Sequence, residues 1–239
     1  MYKFNHSEEK WNGADFEWWI GSSRRRWAAL RFQAKKLSYG SYRQFRHEVR
    51  VGVYQHDLLI RQARRDRVWP MYCLYNGWPD IWPAGVPTRA CPGGCSRWPP
   101  TSGNCSHMDI RHFGCSAAPA VAVIRRFLGN PRRGRLTLQS HLPHSKPWSH
   151  LFEPVRNRPP GELVRLLPRY LSDWYWQAAQ AVENPLLDKD SALSPDGGVP
   201  AGDGLHDALP SWLDAKRRNQ EHTGDEPHPK VAVVIEVGD

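Results

Sequence analysis

Asp15 and Glu17, together with Gln33-Ala34-Lys35, are the residues of this chain whose types and spacing could carry chemistry. Two carboxylates, an amide and an ammonium on one surface are groups that acid–base or cation-assisted reactions draw on. What must bring them together is a hairpin. Two period-2 runs, Ala14 to Gly21 and Trp27 to Leu37, flank a Gly/Ser/Arg loop, the pattern of two antiparallel strands and a turn. With Gly21 opposite Trp27 across a five-residue loop, Asp15 falls opposite Gln33 and Glu17 opposite Arg31. Alternation then puts Asp15, Glu17, Arg31, Gln33 and Lys35 on one face, with Phe16, Trp18, Ile20, Leu30, Phe32 and Ala34 on the other. A slip of one residue would bury one strand's charges, so the register is constrained.

The charged face admits two readings. As a solvated face, it makes Glu17 and Arg31 an ordinary cross-strand pair contributing under ~1 kcal/mol. As a site, it gathers the most reactive groups of the chain in one place.

Asp15 followed by Gln33-Ala34-Lys35 on the next strand resembles the Asp…(Asp/Glu/Gln)-x-Lys motif of the PD-(D/E)xK nuclease superfamily, in particular its Mrr-like branch with Gln in the middle position. More closely, Gly13 to Trp19, Gln33 to Leu37, Gln55 to Ile60, Pro70 to Asn76, Gly114 to Ser116 and Pro147-Trp148 are similar to the bacterial domain of unknown function 6615 family. The resemblance spans roughly residues 8 to 152, and Gly-Ala-Asp-Phe-Glu-Trp-Trp with Gln-Ala-Lys-Lys-Leu is its specific part.

The superfamily resemblance implies an α/β fold, a mixed nuclease-like sheet flanked by helices. It implies that Asp15 is a metal-binding carboxylate, that Gln33 donates its side-chain carbonyl beside the Ala34 backbone oxygen, and that Lys35 holds or polarises the attacking water. Mg²⁺ suits such a site, because it takes a few protein oxygens and keeps waters and substrate phosphate oxygens. Glu17, on the same face, is the candidate for a second ligand. The superfamily core starts with a helix before the first strand. Twelve residues precede Gly13 here, too few for a well-packed helix of ordinary length, so the expected core lacks its first helix.

Of 239 residues, 33 are Lys or Arg and 24 Asp or Glu, a net charge of +9. That balance favours an anionic partner, nucleic acid before membrane, and the resemblance to Mrr-like nucleases implies DNA before RNA. Arginine clusters fall at Arg24 to Arg26, Arg61 to Arg67, Arg125-Arg126 and Arg132 to Arg135. Arg31, Lys36, Gln55 and Arg61 are the candidates for nucleic-acid contact. No apolar run approaches a membrane span and no secretory segment opens the chain, so a cytoplasmic protein is expected.

Residues 1–76 are expected to form a β-β-α-β core, with Ser38 to Asp66 mainly helical and split near Gly52, and Trp69 to Asn76 a buried strand. Residues 77–113 are a Pro-, Gly- and Cys-rich insertion. Within it, Cys91-x3-Cys95-x9-Cys105-x-His107 offers four ligands for a tetrahedral zinc ion, with free thiols as the alternative. Residues 114–190 complete the globular domain with helices over Ala117 to Leu128 and Pro160 to Ala181, the latter broken at Pro168. Cys115, just before the first of these, is expected to be a packing residue rather than a nucleophile. Residues 191–230 read as a flexible linker and polar tail, and residues 231–239 as a terminal strand. The function expected is metal-dependent hydrolysis of DNA phosphodiester bonds, in phage defence by analogy with Mrr-like enzymes. The alternative is a nonenzymatic nucleic-acid-binding protein with a degenerate nuclease fold, and an interaction module built on a zinc-clasped loop is a third reading.

Overall fold

The computed structural model describes residues 13–38, 41–42, 45, 47–76, 115–128, 136–137, 144–180, 199–200, 202–211, 213–214 and 232–236. The hairpin strands β1 (Phe16–Ser22) and β2 (Arg26–Ser38) pair antiparallel, with Gly21 opposite Trp27 and Glu17 opposite Arg31. Pairing runs one step further, to Ser22 opposite Arg26, and leaves a three-residue turn closed by Arg25 N–H donating to Ser22 O at 3.1 Å. Arg26 follows it in the left-handed region (φ 72°), the usual exit from such a turn. Its guanidinium is tied to Asp203 at 2.5 Å and Asp207 at 2.7 Å.

Past the hairpin, β3 (Ser41–Tyr42) folds back on the end of β2 and also pairs with β8 (Leu136–Thr137), while β4 (Glu48–Arg50) and β5 (Val53–Tyr54) form a separate small hairpin. The helix expected over Ser38 to Asp66 is therefore confined to α1 (Gln55–Arg65). The residues before it alternate Val49, Val51 and Val53 around Gly52 at φ +72°; β-branched residues beside a left-handed glycine favour a turn between strands over a helix. After α1, β6 (Trp69–Tyr75) lies parallel to β2, and β7 (Cys115–Pro119) and β9 (Lys146–Pro147) extend the sheet antiparallel. The helix expected from Ala117 starts only at Ala120, as α2 (Ala120–Leu128), because the residues ahead of it are ladder partners of β6.

On the far edge, β11 (Ala232–Glu236) runs parallel to β1. Part of the stretch that composition assigns to a linker is also tied down. β10 (Leu205–His206) pairs with Trp27 and Ala28 of β2, and Leu209 and Leu213 are buried beside Trp19 and Trp27. The result is a mixed α/β fold whose main sheet is ordered β11-β1-β2-β6-β7-β9.

Both faces of the sheet are covered. Phe16, Trp18 and Phe32 pack on Trp148, which lies 4.4 Å from Trp18 and 4.8 Å from Phe32 between ring centroids, in a 3₁₀ segment (Trp148–Val155). The helix α3 (Leu163–Gln180) brings Tyr175 against Trp69, 5.3 Å between centroids. Pro168 does not break it. The apolar stripe Leu163, Val164, Leu167, Leu171, Trp174, Tyr175 and Ala178 is buried on both sides of the proline, and that burial outweighs one lost backbone hydrogen bond.

Among the described residues, no helix is long and apolar enough to cross a membrane.

Candidate functional site

The opposite face, carrying Arg31, Gln33 and Lys35, is covered by α1. The helix runs back over β2, so Lys35 meets Gln55 at its first turn, Nζ to Oε1 3.4 Å, while Arg31 meets Asp66 just past its last turn, at 2.8 Å. Gly13 makes this packing possible. A Cβ there would stand 2.3 Å from Gln55 O and 2.6 Å from Leu59 N, and its φ is +68°, so the chain enters β1 in direct contact with the helix backbone.

The charged face is therefore not solvated. Glu17 is 1% exposed, Arg31 5%, Gln33 1% and Lys35 8%. Charges that far from water must be paired or held for a task. For Glu17 the pairing is complete: Oε1 accepts from Arg31 Nε at 2.5 Å and Oε2 from Trp19 Nε1 at 2.9 Å. Burial alone would pull Arg31 down, yet Glu17 and Asp66 outweigh it and leave its pKa raised. With both oxygens engaged by protein donors, Glu17 stands in a structural ion cluster, and Arg31 is enclosed by the same cluster rather than presented at the surface.

Asp15 behaves differently. Its N–H donates to Phe32 O at 2.8 Å, although Phe32 is already paired with Phe16. Asp15 lies one residue ahead of β1, so this bond carries the hairpin contact past the end of the paired strand. Asp15 Oδ2 also accepts the Ala34 N–H at 2.5 Å, so Asp15 is bonded to both chain neighbours of Gln33. A carboxylate thus stands in the ladder where a backbone carbonyl would, in the middle of Gln33-Ala34-Lys35.

Gln33 lies beside Tyr72 of β6. Both are buried, and Gln33 Nε2 and Tyr72 Oη have no hydrogen-bond partner among the described residues. Burial, reinforced by Asp15 and Asp57, pushes the Tyr72 pKa up, so its hydroxyl keeps its proton and remains a donor. Tyr72 was not legible as a site residue, since Trp69 to Asn76 reads simply as an apolar strand. Lys35 also lies 5.9 Å from the Phe45 ring.

Asp15, Gln33, Lys35 and Gln55 are thus brought together at one end of the hairpin, while Glu17 and Arg31 form the cluster at the other. Lys36 points away from Lys35 and is exposed beside Tyr75, and Arg61 is exposed on α1. Cys91, Cys95, Cys105 and His107 lie outside the described residues. Cys115 is not at a helix N-terminus but opens β7, with its Sγ 3.0 Å from Cys73 Sγ.

Among the described residues no three His, Cys, Asp or Glu side chains converge to hold a metal ion. A cation here would rest on one carboxylate, an amide carbonyl and the Ala34 main chain. That all-oxygen set fits a hard ion that keeps most of its waters, as Mg²⁺ does, better than a thiophilic one.

Neither the curated proteins nor the solved structures contain a significant match to this chain. One family model covers residues 1–236, nearly its whole length, and the chain belongs to that family of unknown function (DUF6615).

Proposed function

We propose that the protein is a Mg²⁺-dependent nuclease that hydrolyses DNA phosphodiester bonds at Asp15, Gln33 and Lys35, with phage defence as the setting. The observation that carries this reading is the Asp15 carboxylate held on the Ala34 N–H, next to Lys35 and to a buried Gln33 whose Nε2 has no hydrogen-bond partner among the described residues. Asp15 and the Gln33 carbonyl would hold the ion. When bound, Mg²⁺ lowers the pKa of a coordinated water and stabilises charge on the scissile phosphate. Lys35 Nζ, steadied by Gln55 Oε1, holds the water by hydrogen bonding and offsets negative charge at the phosphate. α1 shields the site from bulk solvent on one side, which strengthens each of these interactions. Exposed Lys36, Arg61 and Arg64 supply backbone contacts of the kind that bind any sequence and weaken with salt.

A plasmid and single-strand cleavage assay in Mg²⁺, Mn²⁺ and EDTA tests the reading on wild type, Asp15→Asn and Lys35→Ala. Metal-dependent cutting that falls by roughly 10² or more in each variant is expected. A folded wild type that cuts nothing under any condition would overturn it.

The second reading is a nucleic-acid-binding protein without catalysis. It is favoured by the engagement of Glu17, which leaves Asp15, of the two hairpin carboxylates, as the one open to a cation. It predicts salt-dependent DNA affinity that ignores both substitutions.

A further inference from the structure

We propose that Cys73 and Cys115 form a thiol-modification site, an oxidisable dithiol in which Cys115 reacts with a low-molecular-weight disulfide and Cys73 resolves the adduct into a cross-strand disulfide. The two cysteines occupy neighbouring antiparallel strands. Cys73 is opposite Ala117 and Cys115 opposite Tyr75, so the thiols stand on one face as a diagonal pair. Their sulfurs are 3.0 Å apart, and a disulfide requires them to close by about 1 Å, a movement that side-chain rotation can supply.

The pair is asymmetric in the way a reactive dithiol needs. Cys73 is buried and Cys115 only partly so. Cys73 hydrogen-bonds to Cys115, which lowers the Cys115 pKa, while the same bond and burial raise that of Cys73. A partly exposed thiolate beside a buried thiol divides the roles of attack and resolution. Tyr75, 45% exposed, adds a hydroxyl contact to Cys73.

The chemistry balances as follows. Cys115 thiolate attacks one sulfur of RSSR, an S–S bond breaks, and RS⁻ departs. Cys73 then attacks the Cys115 sulfur, its proton passing to a released thiolate, and the second RSH leaves. Two cysteine thiols lose two electrons to RSSR, which becomes two RSH.

The test is incubation of the full chain with oxidised glutathione, followed by alkylation of remaining thiols and peptide mapping by mass spectrometry. Wild type is expected to lose both thiols to a Cys73–Cys115 link that dithiothreitol reverses. Cys73→Ser is expected to halt as a Cys115 mixed disulfide, and Cys115→Ser to leave Cys73 unmodified. Full alkylation of both cysteines after oxidant treatment of wild type would overturn the proposal. So would a stable Cys115 adduct in wild type, or a link from either cysteine to Cys91, Cys95 or Cys105. The wild-type mapping decides the matter even if a variant fails to fold.

Discussion

Two buried cations, Arg31 and Lys35, lie under the same helix, one at each of its ends, and their surroundings differ. At the α1 C-terminal end, Arg31 pairs with both Glu17 and Asp66 and Trp19 donates to Glu17, although Arg31 Nη1 has no hydrogen-bond partner among the described residues. At the N-terminal end, Lys35 meets the neutral Gln55 over 3.4 Å, and Gln33 and Tyr72 keep buried polar atoms without partners. The first arrangement resembles a sealed structural element, since the buried Glu17 carboxylate is held on each oxygen by a protein donor and its charge is matched by Arg31. The second retains capacity at a cost: unpaired buried polar atoms each cost about 1–3 kcal/mol, and sites that bind ligands are where such costs are tolerated. One alternating face therefore carries two arrangements of polar groups, with Asp15 and Glu17 only two residues apart.

The sharpest way to break this comparison is to remove one partner at each end. Glu17→Ala leaves the buried Arg31 with only the partly exposed Asp66 as a charge partner and should destabilise the fold by about 3 kcal/mol, read by urea denaturation, whereas Glu17→Met with Arg31→Leu should recover most of the loss. Asp15→Asn should change stability by no more than about 1 kcal/mol in the same experiment. Equal losses at both ends would make the Asp15 end structural as well.

A smaller effect is expected from Gly13→Ala. The new Cβ would press on Gln55 O and Leu59 N in a left-handed backbone, at a cost of about 1–3 kcal/mol, and should displace the first turn of α1 from Lys35. Hydrogen exchange at residues 55–59 should rise while that of residues 62–65 holds.

The smallest effect is a pH dependence at the Glu17 end. His206 packs on Trp19, 4.8 Å between ring centroids, and burial holds its pKa below the ordinary 6.5. The unfolded chain takes up that proton first as pH falls. Stability from this group is thus complete above pH 6.5 and erodes below it until the folded value is passed. Asparagine at position 206 should flatten that limb of a plot of stability against pH.

The hairpin was legible in the sequence because its apolar face must be buried, and period-2 alternation permits only one register. That argument correctly placed Glu17 opposite Arg31. It did not show that the Asp15 carboxylate takes the Ala34 N–H, because alternation assigns a residue to a face and not its side chain to a partner. It also failed to seal the charged face, because α1 folds over it from twenty residues away along the chain, Lys35 to Gln55. The short strands before α1 and at β10 were misread for a related reason. Two or three residues carry too little periodicity to announce a strand, and the partner that makes them one is remote in sequence.

By itself, the sequence determined the hairpin, the strand Trp69–Tyr75, the packing role of Trp148 and the candidacy of Asp15, Gln33 and Lys35, though not of Tyr72, since these follow from local pattern and motif. Only the tertiary structure decided which charges neutralise one another, which carboxylate takes the Ala34 N–H, and that Cys73 meets Cys115. Those outcomes depend on distances between residues far apart in the chain, and burial turns such distances into large energies that no local pattern encodes.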